Sequence, residues 1–248
     1  MVMLGGTAAL PGCAWPHRTA APLAVSLQTL VPHADGDHFV YVFRRALEGR
    51  IIDAGVQVEH VSALDEANTF EVALSENGVR TGRVLFRDTG TAIWLLGEDD
   101  VSRGLHFTYD PPLPYLEVPL FGGTHRTATT ATVTRLNDGR PVGALQVAQI
   151  LDVQPVAHVH STLGTFEHGV SMHTRRTLQE PDGALELSSS IVMVAGIGEI
   201  SSDGTVVGAP VLHRELACAT INGHRVGDCQ NLNARVEEFE HARSTDSQ

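Results

Sequence analysis

Apolar and polar residues alternate along much of this chain, and turn residues cut the alternation at short intervals. Phe39-Val-Tyr-Val-Phe43 is an apolar run of strong β-formers. Val56-Gln-Val-Glu-His-Val61 alternates. Thr69-Phe-Glu-Val-Ala-Leu74 alternates too and meets the turn Glu76-Asn77-Gly78. Arg80 to Arg87 and Ala92 to Leu96 follow, separated by Asp88-Thr89-Gly90. Side chains in a strand point to opposite faces with period two. Short strands at regular spacing with turns between them predict an antiparallel sheet, sandwich or barrel.

The second half reads the same way. A Thr-rich strand over 128–136 sets Thr130, Thr132 and Thr134 on one wet face. It turns at Asn137-Asp138-Gly139 into a strand over 142–153. Further strands are expected over 166–178, 184–194 and 205–221, with reversals at Pro181-Asp182-Gly183 and Ser202-Asp203-Gly204. Four prolines between Tyr109 and Pro119 argue against a central strand or a helix there. That stretch is expected to be an extended crossover, and Phe121-Gly122-Gly123 ends it. Residues 231–243 predict one acidic amphipathic helix. The expected fold is mainly β: a curved antiparallel sheet forming a half-barrel or open barrel. Residues 23–230 form one β domain and 231–248 a C-terminal helix or tail.

Composition narrows the classes. Hydrophobic residues make up 42% of the 248 positions and charged residues 19%, which suits a globular chain and not a disordered one. All 17 basic residues are Arg, and the net charge is -12. Nucleic-acid binding needs a basic surface, so that partner is excluded. Electrostatic docking on anionic lipid is excluded for the same reason. No apolar run reaches the roughly 18 residues that would span a bilayer.

Residues 1–13, MVMLGGTAALPGC, are apolar and end in small residues before Cys13. Leu10, Gly12 and Cys13 resemble the end of a bacterial lipoprotein signal, which implies acylation of Cys13. A plain N-terminal tail is the alternative. Residues 14–22 carry Pro and Ala without periodicity and read as a tether. Cys218 and Cys229 flank Asn222-Gly223, a type I′ hairpin signal, nearly symmetrically. A hairpin would bring them within disulfide reach. In a cytosolic compartment they would instead stay as thiols. Their spacing is not that of a zinc site.

The stretch from Pro111 to Gly198 carries a wider resemblance. A Pro-rich segment (Pro111 to Pro119) precedes Gly164-Thr165-Phe166, then a strand with Arg175-Arg176, then Gly196-Ile197-Gly198. Over about residues 105–215 this layout resembles DUF3108-like bacterial envelope proteins and, more loosely, LolA/LppX-like lipoprotein carriers. The resemblance implies a curved sheet with a hydrophobic concave face and no established catalytic residues.

Candidate chemistry is sparse. His158-Val159-His160 puts two imidazoles on one strand face, with Glu167, His168 and His173 nearby. Two His at i and i+2 with a third ligand from a neighbouring strand is a β-barrel way to hold a divalent metal. The alternative is polar side chains on surface strands. No GxSxG elbow is present, and Ser188-Ser189-Ser190 reads as a polar strand. Gly196-Ile197-Gly198 lacks the rest of a dinucleotide fingerprint. Arg175 and Arg176 point to opposite faces. An inward Arg would need a carboxylate such as Glu199 or Glu215, and such a pair could hold an anionic head group. Phe39, Tyr41 and Phe43 share a face, and with Trp94 they are the best candidates to line a hydrophobic ligand site.

Three functions are compatible with these features. The first is a non-catalytic protein of the bacterial cell envelope, periplasmic or on the outer surface. It would bind a hydrophobic or lipidic ligand or a protein partner, touch membrane only through a lipid anchor, and need no cofactor. The second is a β-barrel enzyme, metal-dependent through His158 and His160 or a metal-free cyclase or isomerase, in which case a cytoplasmic location is open. The third is a structural subunit of an assembly.

Overall fold

The computed structural model describes residues 26–117, 123–181 and 183–241. Cys13, the segment around it and the tether at 14–22 lie outside the described residues, as do Pro119, Phe121 and Asp182.

The chain folds as an antiparallel meander. Its first eight strands are β1 (His38–Leu47), β2 (Arg50–Ala63), β3 (Thr69–Glu76), β4 (Val79–Asp88), β5 (Ala92–Asp100), β6 (Leu105–Glu117), β7 (Gly123–Arg135) and β8 (Pro141–Val156). A small hairpin, β9 (Val159–Ser161) with β10 (Gly164–Phe166), interrupts the meander. It resumes with β11 (Gly169–Glu180), β12 (Gly183–Val194), β13 (Gly198–Val206) and β14 (Val211–Ile221). Each strand pairs with the next, and β11 takes the place beside β8. The sequence pattern predicts a half-barrel or open barrel, and the sheet in fact closes: β1 pairs with β14, His38 opposite Thr220 through Ala46 opposite Val211. The result is a closed antiparallel barrel of twelve strands. Closure removes the two free edges that would otherwise invite pairing with other chains.

Local turn chemistry sets most reversals. Asn77-Gly78 and Asn222-Gly223 both carry positive φ at both positions, as a type I′ turn requires. Ser202-Asp203-Gly204, expected to turn, instead lies within β13, paired on one side with β12 and on the other with β14. Two ladders of backbone hydrogen bonds outweigh a local turn preference. The true reversal comes later, at 207–210.

The proline segment is also a strand, not a crossover. β6 pairs with β7 only from Leu105 to Asp110, before its prolines begin. Proline has no N–H to donate, so the ladder stops there. Side chains take over: Thr129 Oγ1 donates to the carbonyl of Pro111, and Gln149 Nε2 donates to that of Pro114 at 2.7 Å. On the β5 side two register shifts absorb the remaining irregularity.

A short helix, α1 (Leu27–Leu30), stoppers one end of the barrel. Ser26 caps it, and Leu27 and Leu30 are buried in the core. Gly196 N–H donates to the carbonyl of Thr29, and His33 Nε2 lies 3.2 Å from Asp88, with the imidazole stacked on Phe70. Asp37 accepts from Ala34 and Asn222 N–H, tying the plug to the strand ends. Among the described residues no helix is long and apolar enough to cross a membrane.

Beyond the reach of β13, β15 (His224–Gly227) takes the place beside β14 in the sheet, and α2 (Leu232–His241) lies over β1 and β2. The helix is where the acidic segment predicts one. Cys218 and Cys229 form a disulfide with Cα atoms 5.4 Å apart, clamping the approach to α2. Arg44 donates to the carbonyl of Phe239 at 2.8 Å with its guanidinium over the ring, and His213 stacks on the same ring. Arg235 donates to Ala217 O and to Thr162 Oγ1, joining helix, seam and hairpin.

Burial would lower the His213 pKa, but hydrogen bonds to Asp203 and Glu215 outweigh it and raise the value. The stability this supplies is complete below the ordinary imidazole range and is lost as pH rises through the raised value. Protection factors of the α2 amides, with intrinsic base catalysis divided out, should therefore fall from mildly acidic to alkaline pH, and His213→Gln should flatten that dependence. Cys218→Ser should lower the unfolding free energy by roughly 3 kcal/mol, read from urea melts with and without reductant.

Candidate functional site: the barrel interior

The interior forms where inward positions of successive strands meet. Phe39 and Tyr41 from β1, Phe70, Val72 and Leu74 from β3, Val84 and Phe86 from β4, and Ile191 and Met193 from β12 line a cavity of about 380 Å³. Leu30, Val31 and Pro32 of the plug close one end of it. A second cavity of about 440 Å³ adjoins it and shares Arg176, Ser189, Gly204 and Leu212.

Polar groups enter this apolar space at defined places. β2 is inverted relative to a simple apolar-inward reading. Gln57 and Glu59 line the cavity, while Val56 and Val58 take the outer side, where α2 lies. Two further carboxylates arrive through β-bulges, which shift side chains from one face to the other. In β5 the extra residue Leu96 lets both Leu95 and Glu98 face inward. In β13 the shift between Val192 and Met193 of its partner lets both Glu199 and Ser202 face inward.

Four consecutive strands around the seam build the main polar cluster. Arg214 of β14 donates to Glu199 of β13 through Nε at 2.8 Å and Nη2 at 2.9 Å, to Ser202 at 2.8 Å, and to Glu59 of β2. Its guanidinium sits 4.5 Å above the ring of Tyr41 of β1. Burial disfavours the Arg214 charge, but Glu199 and Glu59 outweigh it, so this guanidinium stays charged. Burial pushes the Glu199 carboxyl up, Arg214 pulls it back without cancelling the rise, and Glu59 adds to it. Burial, and then the nearby glutamate charges, hold Tyr41 and Tyr115 in the phenol form.

A second cluster lies across the barrel. Arg176 of β11 donates to Glu98 at 2.7 Å and to Tyr109, and Tyr109 donates to the same Glu98 oxygen. Gln149, bonded to Pro114, accepts from Arg176 at 3.4 Å. Every cation facing the cavity is thus engaged by a carboxylate.

The expected site residues divide. Phe39, Tyr41 and Arg176 face the interior, and the partner of Arg176 is Glu98 rather than Glu199 or Glu215. Phe43, opposite the inward Arg214, is buried against the guanidinium of Arg45 and is not among the residues that line either cavity. Trp94 falls between the inward Ile93 and Leu95 and opposite Arg87, on the outer face. Arg175 is exposed. His158 and His160 are exposed at the small hairpin, and His160 Nδ1 is 3.0 Å from Thr165 Oγ1. His173 bonds Ser171 and Ser190. Among the described residues no three His, Cys, Asp or Glu converge as a metal site. His158 precedes β9, so only His160 of the pair lies on a strand. Gln57, Glu59, Glu98 and Arg214 were not singled out from sequence. Their one signal is a polar residue at alternate positions among β-formers, which solvent-facing positions share.

No family model matches the chain. No curated protein matches it. Among solved structures, a proposed exported protein with a YmcC-like fold from Bacteroides fragilis NCTC 9343 is 12% identical, with 75% of this chain and 95% of that chain covered and a TM-score of 0.47. A proposed lipoprotein from Parabacteroides distasonis ATCC 8503 is 10% identical over the same shares, with a TM-score of 0.33. Neither carries the DUF3108 or LolA/LppX name. Likeness at this level assigns no ligand, partner or location to this protein.

Arg214→Met leaves Glu59 and Glu199 facing each other in a buried space without their cation. It should cost about 3–5 kcal/mol in urea unfolding at neutral pH. The deficit should shrink as pH falls and the carboxylates take up protons. Combining it with Glu59→Gln and Glu199→Gln should recover much of the loss.

Proposed function

We propose that this protein is a non-catalytic binding protein of the bacterial cell envelope that holds a hydrophobic or lipidic ligand inside its barrel. The observation that carries this reading is the cavity itself. It is enclosed by a closed wall, stoppered at one end, lined mainly by aliphatic and aromatic side chains, and large enough for a small ligand. The polar groups within it are few and grouped, as expected of a pocket that orients one end of an apolar molecule. The Cys218–Cys229 bond supports an oxidising compartment.

Arg214 and Arg176 occupy their carboxylates as structural partners, which favours binding over acid–base chemistry. The ligand enters at the end away from α1. There Leu47, Ile51, Ile52, Val79, Val101, Val142, Val207 and Val211 stand exposed on the hairpins.

The protein purified from a bacterial periplasm should show a native mass excess that disappears on denaturation and matches an organic molecule. Val72→Phe intrudes into the cavity and should reduce that excess while the protein still melts cooperatively. A Val72→Phe protein that keeps the same excess would place the ligand elsewhere.

A further inference from the structure

The polar end of the cavity has a sign, and it differs from the anionic head group that an inward arginine suggests. Gln57 is 5% exposed, lines the cavity, and its Oε1 is buried without a hydrogen-bond partner. Buried acceptors are almost always satisfied in native proteins, so an orphan on a residue that lines a cavity marks where a donor belongs. Glu59 lies two residues along the same strand and faces the same cavity. Gln57 stands opposite Tyr41 in the ladder, beside the Arg214 cluster.

Charge points the same way. Glu59, Glu98 and Glu199 face the cavity against two guanidinium groups, Arg176 and Arg214. Arg214 spends its donors on Glu199, Glu59 and Ser202, and Arg176 spends its own on Glu98, Tyr109 and Gln149. A carboxylate or phosphate head would meet guanidinium groups already paired with carboxylates and a surplus of like charge. A group that donates would meet the unpaired oxygen of Gln57 and an acidic neighbourhood.

We infer that the ligand's polar end is a hydrogen-bond donor, a hydroxyl or an ammonium on an apolar chain, received by Gln57 Oε1 beside Glu59. This rests on the proposed binding of an apolar ligand in the barrel and names the chemistry of its head.

The test is displacement of N-phenyl-1-naphthylamine from the delipidated full chain by four twelve-carbon probes: dodecane, 1-dodecanol, dodecylamine and dodecanoic acid. At neutral pH the alcohol or the amine should displace the dye at concentrations at least tenfold below the acid. Gln57→Leu should remove the alcohol's advantage over the alkane and leave the alkane unchanged. Glu59→Gln should weaken the amine and spare the alcohol if the natural head is an ammonium. If the head is a hydroxyl, the alcohol should already outrank the amine in the unaltered protein. An acid that binds as well as or better than both donors overturns the assignment, and that ranking needs no variant to fold. So does an unchanged ranking in Gln57→Leu. Equal displacement by all four sinks the head-group assignment alone. No binding of dye or probes sinks the apolar-cavity reading and the assignment with it.

Discussion

The pairing of β1 with β14 is the constraint on which the rest of the structure depends. It joins residues near the two ends of the described chain, His38–Ala46 against Val211–Thr220, and turns a long meander into a closed wall. Without it the sheet would have two edges and no interior. The seam is also where chemistry gathers. Glu59, Tyr41, Arg214 and Glu199 come from β2, β1, β14 and β13, four neighbouring strands that become neighbours only on closure. Arg214 reaches across the seam to carboxylates on both sides of it.

A buried guanidinium with two carboxylates is not an efficient way to stabilise a barrel. Well-packed apolar side chains of similar volume are often as good or better, because desolvating each charge costs several kcal/mol. What such a cluster does provide is register: a one-residue slip of β14 would send Arg214 to the outer face and leave both acids alone inside. The same groups give the cavity a polar region at the seam, facing the Arg176 cluster across apolar walls. Stability, strand register and ligand orientation therefore act through the same few side chains. The outer devices support the seam from behind, since α2, the disulfide and the Arg44–Phe239–His213 stack all attach to β1 or β14.

Much of the fold was legible because its signals are local. Alternation in β3, the Asn-Gly reversals and the threonine face of β7 each depend on a few adjacent residues. The misreadings came where a neighbour overruled such a signal. Ser202-Asp203-Gly204 has turn chemistry but is held straight by ladders on both sides. The prolines of β6 do interrupt its ladders, ending the one with β7 at Asp110 and skipping 109–112 in the one with β5, and the side chains of Thr129 and Gln149 bond the freed carbonyls of Pro111 and Pro114. The histidine pair at 158 and 160 suggests one strand face, yet β9 begins only at Val159, and among the described residues no metal-ligating group converges on them.

The sequence by itself determined a mainly antiparallel β fold, most of its strands, a hairpin suited to bridging Cys218 and Cys229, and a C-terminal helix. Period-two patterning and turn residues act over a few positions, so they can be read without a partner strand. Only the tertiary structure decided that the sheet closes and which side of each strand faces in. α2 covers the outer side at β2, so Gln57 and Glu59 turn inward. Bulges at Leu96 and in β13 reverse the parity that would have kept Glu98 or Glu199 outside. A bulge is set by the match between two strands, and closure by contacts across nearly the whole chain, so no single stretch of residues records either.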